Sequence, residues 1–133
     1  MSRFLNQLKV TLIDNDAAEG RGLWSLDEDF GYQSDLARMT ITAPKGFRTD
    51  FASVPRLPIV FWLAGDTSTE AAVIHDWLYT SKITSRRTAD AVLREAGKVS
   101  GVPAWRRWMI WAGVRAFGQG PWDGKNWPDM RFL

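Results

Sequence analysis

The chain has a single histidine, His75, in the run Ala71-Ala72-Val73-Ile74-His75-Asp76-Trp77-Leu78-Tyr79. On a helix His75 and Tyr79 are four apart and share a face, and Asp76 and Tyr79 are three apart. A neutral imidazole in an apolar helix takes a proton from water or a hydroxyl near neutral pH, which makes His75 the candidate general base. Such a base needs an orienting carboxylate, and Asp90 is the candidate. The turn Ser81-Lys82-Ile83 is short, so the helices on either side of it should be antiparallel neighbours. Asp90 shares a face with Leu93, and a carboxylate on an Ala, Leu and Val face requires a partner. The same residues also read as a buried His–Asp hydrogen bond that only pins two helices together.

A second polar segment is Gly46-Phe47-Arg48-Thr49-Asp50-Phe51-Ala52-Ser53-Val54-Pro55-Arg56. It gathers an Asp, a Thr, a Ser and two Arg around a Pro-restricted backbone. Asp50 and Ser53 read either as caps of turns or as oxygen donors to a shared site.

The elements that must carry these groups follow from periodicity. Leu8, Val10 and Leu12 alternate with polar neighbours over Gln7 to Ile13, a half-buried strand. Residues 22–32 suggest a second strand, and Arg38 to Ala43 is the cleanest, ending in the turn Pro44-Lys45-Gly46. Thr67-Ser68-Thr69-Glu70 fits a capping box that opens a helix running to about Thr80. Thr84 or Ser85 caps a second helix, in which Ala89, Val92, Leu93, Ala96 and Val99 keep the helical period up to Gly101. Pro103 opens a third, ending at Gly118, in which Trp105 and Trp108 are expected in the core. The expected fold is α+β in one domain, residues 1–133. Residues 1–56 form a small antiparallel sheet and loop, 57–118 are helical, and 119–133 form an irregular Trp-rich tail.

Composition bounds the chemistry. With 133 residues, 45% hydrophobic, and a net charge of +2, the chain can bury an ordinary core and is not disordered. The absence of cysteine excludes a disulfide scaffold, a thiolate nucleophile, an iron–sulfur cluster and a cysteine zinc site. One histidine excludes an HExxH helix. The start of the chain lacks the apolar core of a secretory signal. The longest apolar run, residues 57–64, is far short of the ~20 residues of a membrane span. No transmembrane segment is expected, and the chain should be made and folded in a cytoplasm.

Three ordered motifs carry a family resemblance: Thr49-Asp50-x-Ala52-Ser53-Val54-Pro55-Arg56, Ala72-x-x-x-His75-Asp76-x-Leu78-Tyr79, and Ser85-Arg86-x-x-Ala89-Asp90. Together they resemble the domain-of-unknown-function family 1353, small proteins encoded largely by tailed bacteriophages and prophages. Arg115, Gly118 and Trp122 also sit where the closing segment of that family falls. The resemblance implies a bacteriophage setting, in the host bacterial cytoplasm or in the virion. It makes Thr49, Ser53, Arg56 and Arg86 candidate binding residues.

His75-Asp76-x-x-Tyr79 with Asp90 on an antiparallel helix is also similar to the catalytic helices of secreted phospholipases. That similarity implies His75 as base, Asp76 as a metal ligand, and Tyr79 and Asp90 as orienters. The chain departs from the phospholipase pattern in having no cysteines and no Gly-rich calcium loop. Residues 46–56, with Asp50, would supply the oxygens for a divalent metal, calcium or zinc.

Charge divides the chain. Residues 1–79 balance to −4 and residues 80–133 to +6. Arg86, Arg87, Arg94, Lys98, Arg106, Arg107 and Arg115 fall on two successive helices, either as a solvated face whose stems cover tryptophan rings or as a surface for an anionic partner. No nucleic-acid motif accompanies them, so a lipid or envelope surface, or a phage or host protein, is the expected partner. Two functions follow. One is a His–Asp hydrolase, with or without a metal, acting on an ester or cell-envelope substrate. The other is a non-catalytic virion, assembly or host-interaction protein with a structural His–Asp network.

Overall fold

The computed structural model describes residues 1–14, 23–49 and 69–125. The capping box at Thr67, the loop residues Asp50, Ser53 and Arg56, and Trp127 lie outside the described residues. The fold is α+β, as the sequence predicts. Strands β1 (Arg3–Phe4), β2 (Val10–Asp14), β3 (Leu23–Leu26), β4 (Phe30–Ser34), β5 (Met39–Ala43) and β6 (Arg48–Thr49) are followed by helices α1 (Thr69–Ser81), α2 (Arg86–Val99) and α3 (Ala104–Phe117), and a single helical turn, α4 (Gln119–Trp122).

The expected sheet is two sheets of three antiparallel strands each, ordered β1-β4-β5 and β2-β3-β6. The stretch expected as one strand over 22–32 breaks at Asp27-Glu28-Asp29, where the chain passes from one sheet to the other. Carboxylates hold that crossing: Asp27 accepts from the Thr11 hydroxyl at 2.6 Å and Asp29 from the Lys45 amide at 2.7 Å. Gly46 supplies the positive φ of 86° that the following turn needs before β6.

Strands β4 and β5 pair Phe30 with Ala43 and Tyr32 with Ile41. These four side chains are buried and form the floor of the core. Helix α1 packs against β5 on one side and α2 on another, so it is covered nearly all round: Ala71, Ala72, Val73, Ile74, His75, Leu78 and Tyr79 are all buried. Glu95 of α2 ties the helices to the sheet, accepting from the Tyr32 and Ser34 hydroxyls, both at 2.8 Å.

The joints between helices are short and specified. Lys82 takes a left-handed φ of 55° just past α1. Ser85 caps α2, its hydroxyl accepting from the Thr88 amide at 3.1 Å. Gly101, at φ 85°, closes α2, with the Val102 amide donating to the Gly97 carbonyl.

One expectation fails on α3. Trp105 and Trp108 are more than half exposed, and the buried residues of this helix are Ile110 and Val114. The inward flank is taken instead by arginines whose heads find protein acceptors: Arg107 donates to the Val102 carbonyl at 2.7 Å and Arg115 reaches Asp90. An i, i+3 pair of tryptophans shares a face, but the spacing does not say which face is buried. In the expected tail, residues 119–122 form α4, and Trp122 packs back against Tyr79 edge-on, centroids 5.3 Å apart.

Candidate functional site

Asp90 is fully buried at the crossing of α1, α2 and α3. Its Oδ1 accepts from Tyr79 Oη at 2.6 Å and faces His75 Nε2 at 2.8 Å. Its Oδ2 accepts from Arg115 Nη1 at 2.9 Å, with Arg86 Nη1 at 3.5 Å, an ion-pair distance. Arg86 is shared, because it also donates to the Val114 carbonyl at 3.1 Å, near the C-terminal end of α3.

The electrostatics fix the protons. Burial alone would raise the Asp90 carboxyl, but hydrogen bonds from His75, Tyr79 and Arg115 outweigh it and hold the group below its ordinary range. An ionised carboxylate only accepts, so His75 donates through Nε2–H. Burial pushes the His75 imidazole down, against the opposing pull of Asp90, so the ring is neutral and its lone pair is on Nδ1. Burial followed by the Asp90 hydrogen bond pushes the Tyr79 phenol well above its usual range. Burial and Glu95 do the same to Tyr32.

Both tyrosines of the chain are therefore held protonated, and stability should be bounded at both ends of the pH scale. A depressed histidine binds fewer protons folded than unfolded, so its contribution is complete above about pH 6.5 and declines as pH falls below that. Asp90 adds a second loss below the ordinary carboxylate pKa of about 3.9. A raised phenol favours the unfolded chain once pH passes about 10, where only that form ionises. Thermal melts across pH should give a plateau between those limits. Phenolate absorbance should rise only together with unfolding. A rise in a still-folded chain would contradict the placement of both hydroxyls.

The sequence-predicted residues divide in three. The structure brings His75, Tyr79, Asp90 and Arg86 together. Asp76 is half-buried beside His75 on α1, and Thr49 is buried on β6. Asp50, Ser53 and Arg56 lie outside the described residues. Among the described residues, no group of three or more acidic or histidine side chains is close enough to hold a metal. Arg115 is the site residue that the sequence placed among the basic charges and in the closing segment of the resembled family, with no role beside His75 and Asp90. The signal for it was the closing segment itself, since Arg115, Gly118 and Trp122 all converge here: Arg115 on Asp90, and Gly118 and Trp122 against Tyr79.

The model of the family described as "Protein of unknown function (DUF1353)" matches residues 24–114, more than half of the chain. The chain belongs to this family. No curated protein and no solved structure matches it. In this DUF1353 member the match spans His75, Tyr79, Arg86 and Asp90 and stops one residue short of Arg115.

Gly118 is required by proximity. Its φ of −82° suits any residue, but a Cβ there would collide with the Tyr79 hydroxyl and the Val114 carbonyl oxygen, and would crowd Arg86 Nη1 at 3.1 Å. Gly118→Ala should destabilise the fold by about 1–3 kcal/mol, as overpacking does, and should raise the amide-exchange rate of α1 next to Tyr79. A variant that melts with the wild type would show that the chain leaves room at this joint.

Proposed function

We propose that the protein is a hydrolase of an ester, in lipid or another cell-envelope substrate, with His75 as general base. The supporting observation is the neutral buried imidazole whose Nε2–H is committed to the ionised Asp90 carboxylate, which also accepts from Tyr79 and Arg115. This is the arrangement that keeps a lone pair on Nδ1 and stabilises the imidazolium when a proton arrives. In the proposed step His75 takes a proton from water as the water oxygen attacks the ester carbonyl. The proton then passes to the departing alkoxide. Asp90 holds the ring, and Tyr79 and Arg115 hold Asp90. Thr49, Ser53, Arg56 and Arg86 are the proposed substrate-facing or loop-positioning groups.

A divalent cation, calcium or zinc, would be held by Asp76 and Asp50 and would polarise the ester carbonyl. Asp90 is not a candidate ligand, because its oxygens are already taken. The setting that goes with this reading is a tailed phage or prophage, with the product in the host bacterial cytoplasm or carried in the virion.

One observation favours a second reading. Asp90 draws on residues of three helices at once, which suits a purely structural clasp in a virion, assembly or host-interaction protein. Assaying the purified chain, with calcium or zinc and with chelator, on nitrophenyl esters and phosphatidylglycerol separates the two. Hydrolysis that disappears in His75→Asn, in a variant that still folds, supports the hydrolase. No hydrolysis above background in any condition overturns it.

A further inference from the structure

Helix α3 is turned inside out. Its buried side carries only Ile110 and Val114, flanked by the paired arginines 107 and 115, while Trp105, Trp108, Ala112 and Ala116 line its exposed side. Trp105 is 55% and Trp108 51% exposed. From Trp105 to Ala116 this apolar row runs about 17 Å at ~1.5 Å per residue.

Beside it on α2 lies a basic row. Arg87, Arg94 and Lys98 recur at spacings of seven and four, so they share one face, and Arg87 and Lys98 are exposed. Arg94 joins the two rows, its guanidinium carbon 4.1 Å over the Trp108 ring and 5.3 Å from that of Trp111. Helix α3 contains no acidic residue, and the two on α2 point away: Asp90 to His75, and Glu95 to β4.

We propose that this face docks the protein on a bilayer surface rich in anionic phospholipid. The indoles would enter the headgroup region and Arg87, Arg94 and Lys98 would meet the phosphates. Indole rings favour the membrane interface because one end is apolar and the other donates a hydrogen bond. A basic row alongside supplies attraction to anionic headgroups. A second copy of the chain fits less well, because twofold pairing of this face would bring two basic rows together. Single-stranded nucleic acid also fits less well. It needs open ring faces for base stacking, and one face of Trp108 is covered by Arg94 while Trp111 meets it edge-on. The inference concerns binding alone and does not depend on the hydrolase reading.

The test is flotation of the full chain with vesicles of phosphatidylglycerol in phosphatidylcholine and with vesicles of phosphatidylcholine alone. The expected result is at least about tenfold stronger partition onto the anionic vesicles, weakened as salt is raised. Trp105→Ser/Trp108→Ser and, separately, Arg87→Glu/Lys98→Glu should each reduce that partition by about tenfold or more. The second pair consists of exposed side chains, so it should melt with the wild type. Equal partition onto neutral vesicles, or undiminished binding by both variants, would overturn the proposal. So would a dimer, or an oligothymidine complex, that is lost in these variants while vesicle binding is absent.

Discussion

Asp90→Ala lowers the melting temperature by about 10–20 °C; this is the largest stability loss expected of any single substitution at the site. Deleting one partner of a buried ionic cluster leaves the remaining donors without their acceptor, at a cost of about 3–5 kcal/mol. A chain of this length loses roughly 4 °C per kcal/mol. The loss is uneven across the donors. His75 and Tyr79 are only 1% and 5% exposed, whereas Arg115 and Arg86 retain 30% and 16% exposure and can be partly resolvated. Asp90→Asn, which keeps one carbonyl oxygen for Oδ1's two donors, should therefore cost less than Asp90→Ala. Arg115→Met should cost least, because the Asp90 carboxylate keeps its bonds from His75 and Tyr79 and the neighbouring charge of Arg86. Thermal melts of the three variants check the order. An Asp90→Ala protein melting within a few degrees of wild type would mean that packing alone joins the three helices.

That order explains which part of the site the sequence reveals. His75 with Asp90 is legible because three local rules agree: helical spacing around His75, a turn too short for anything but a hairpin, and a carboxylate on an otherwise apolar face. Arg115 is not legible, because its role depends on how far α3 rotates about its axis. That rotation is set by a narrow contact, Ile110 and Val114, between two inward-leaning arginines. The same rotation carries Trp105 and Trp108 outward, so one undetermined angle accounts both for the missed site residue and for the misplaced tryptophans. In the sheets, β1 and β6 are two residues each, below the length at which alternation is visible. The break between β3 and β4 is hidden because Leu26 and Phe30 keep an even spacing across it. What long-range pairing decides, a period of two cannot show.

The remaining large effect is on turnover. On the hydrolase reading, His75→Asn lowers kcat/KM by about 10²–10⁴, the range a positioned general base contributes. Its stability cost includes the bond to Asp90, because the shorter side chain places its amide nitrogen near the position of Nδ1 and not of Nε2, the atom that faces Asp90. The pH profile distinguishes this from mere loss of fold. Burial depresses the His75 pKa, so in the wild type the acid limb of kcat/KM should fall below pH 6.5, the value of an ordinary histidine. Tyr79→Phe supplies the positioning control. Removing the 2.6 Å bond from Tyr79 Oη leaves the charge on Asp90 less satisfied, which strengthens its attraction for a protonated His75. The acid limb should then move up toward 6.5, with only a small fall in the plateau rate. A clasp that serves structure alone predicts something different: both variants shift melting in proportion to the bonds lost, and no acid limb responds to Tyr79. If ester hydrolysis is present but its limb stays fixed in Tyr79→Phe and its rate is unchanged in His75→Asn, the base is some other group and His75 belongs to the scaffold.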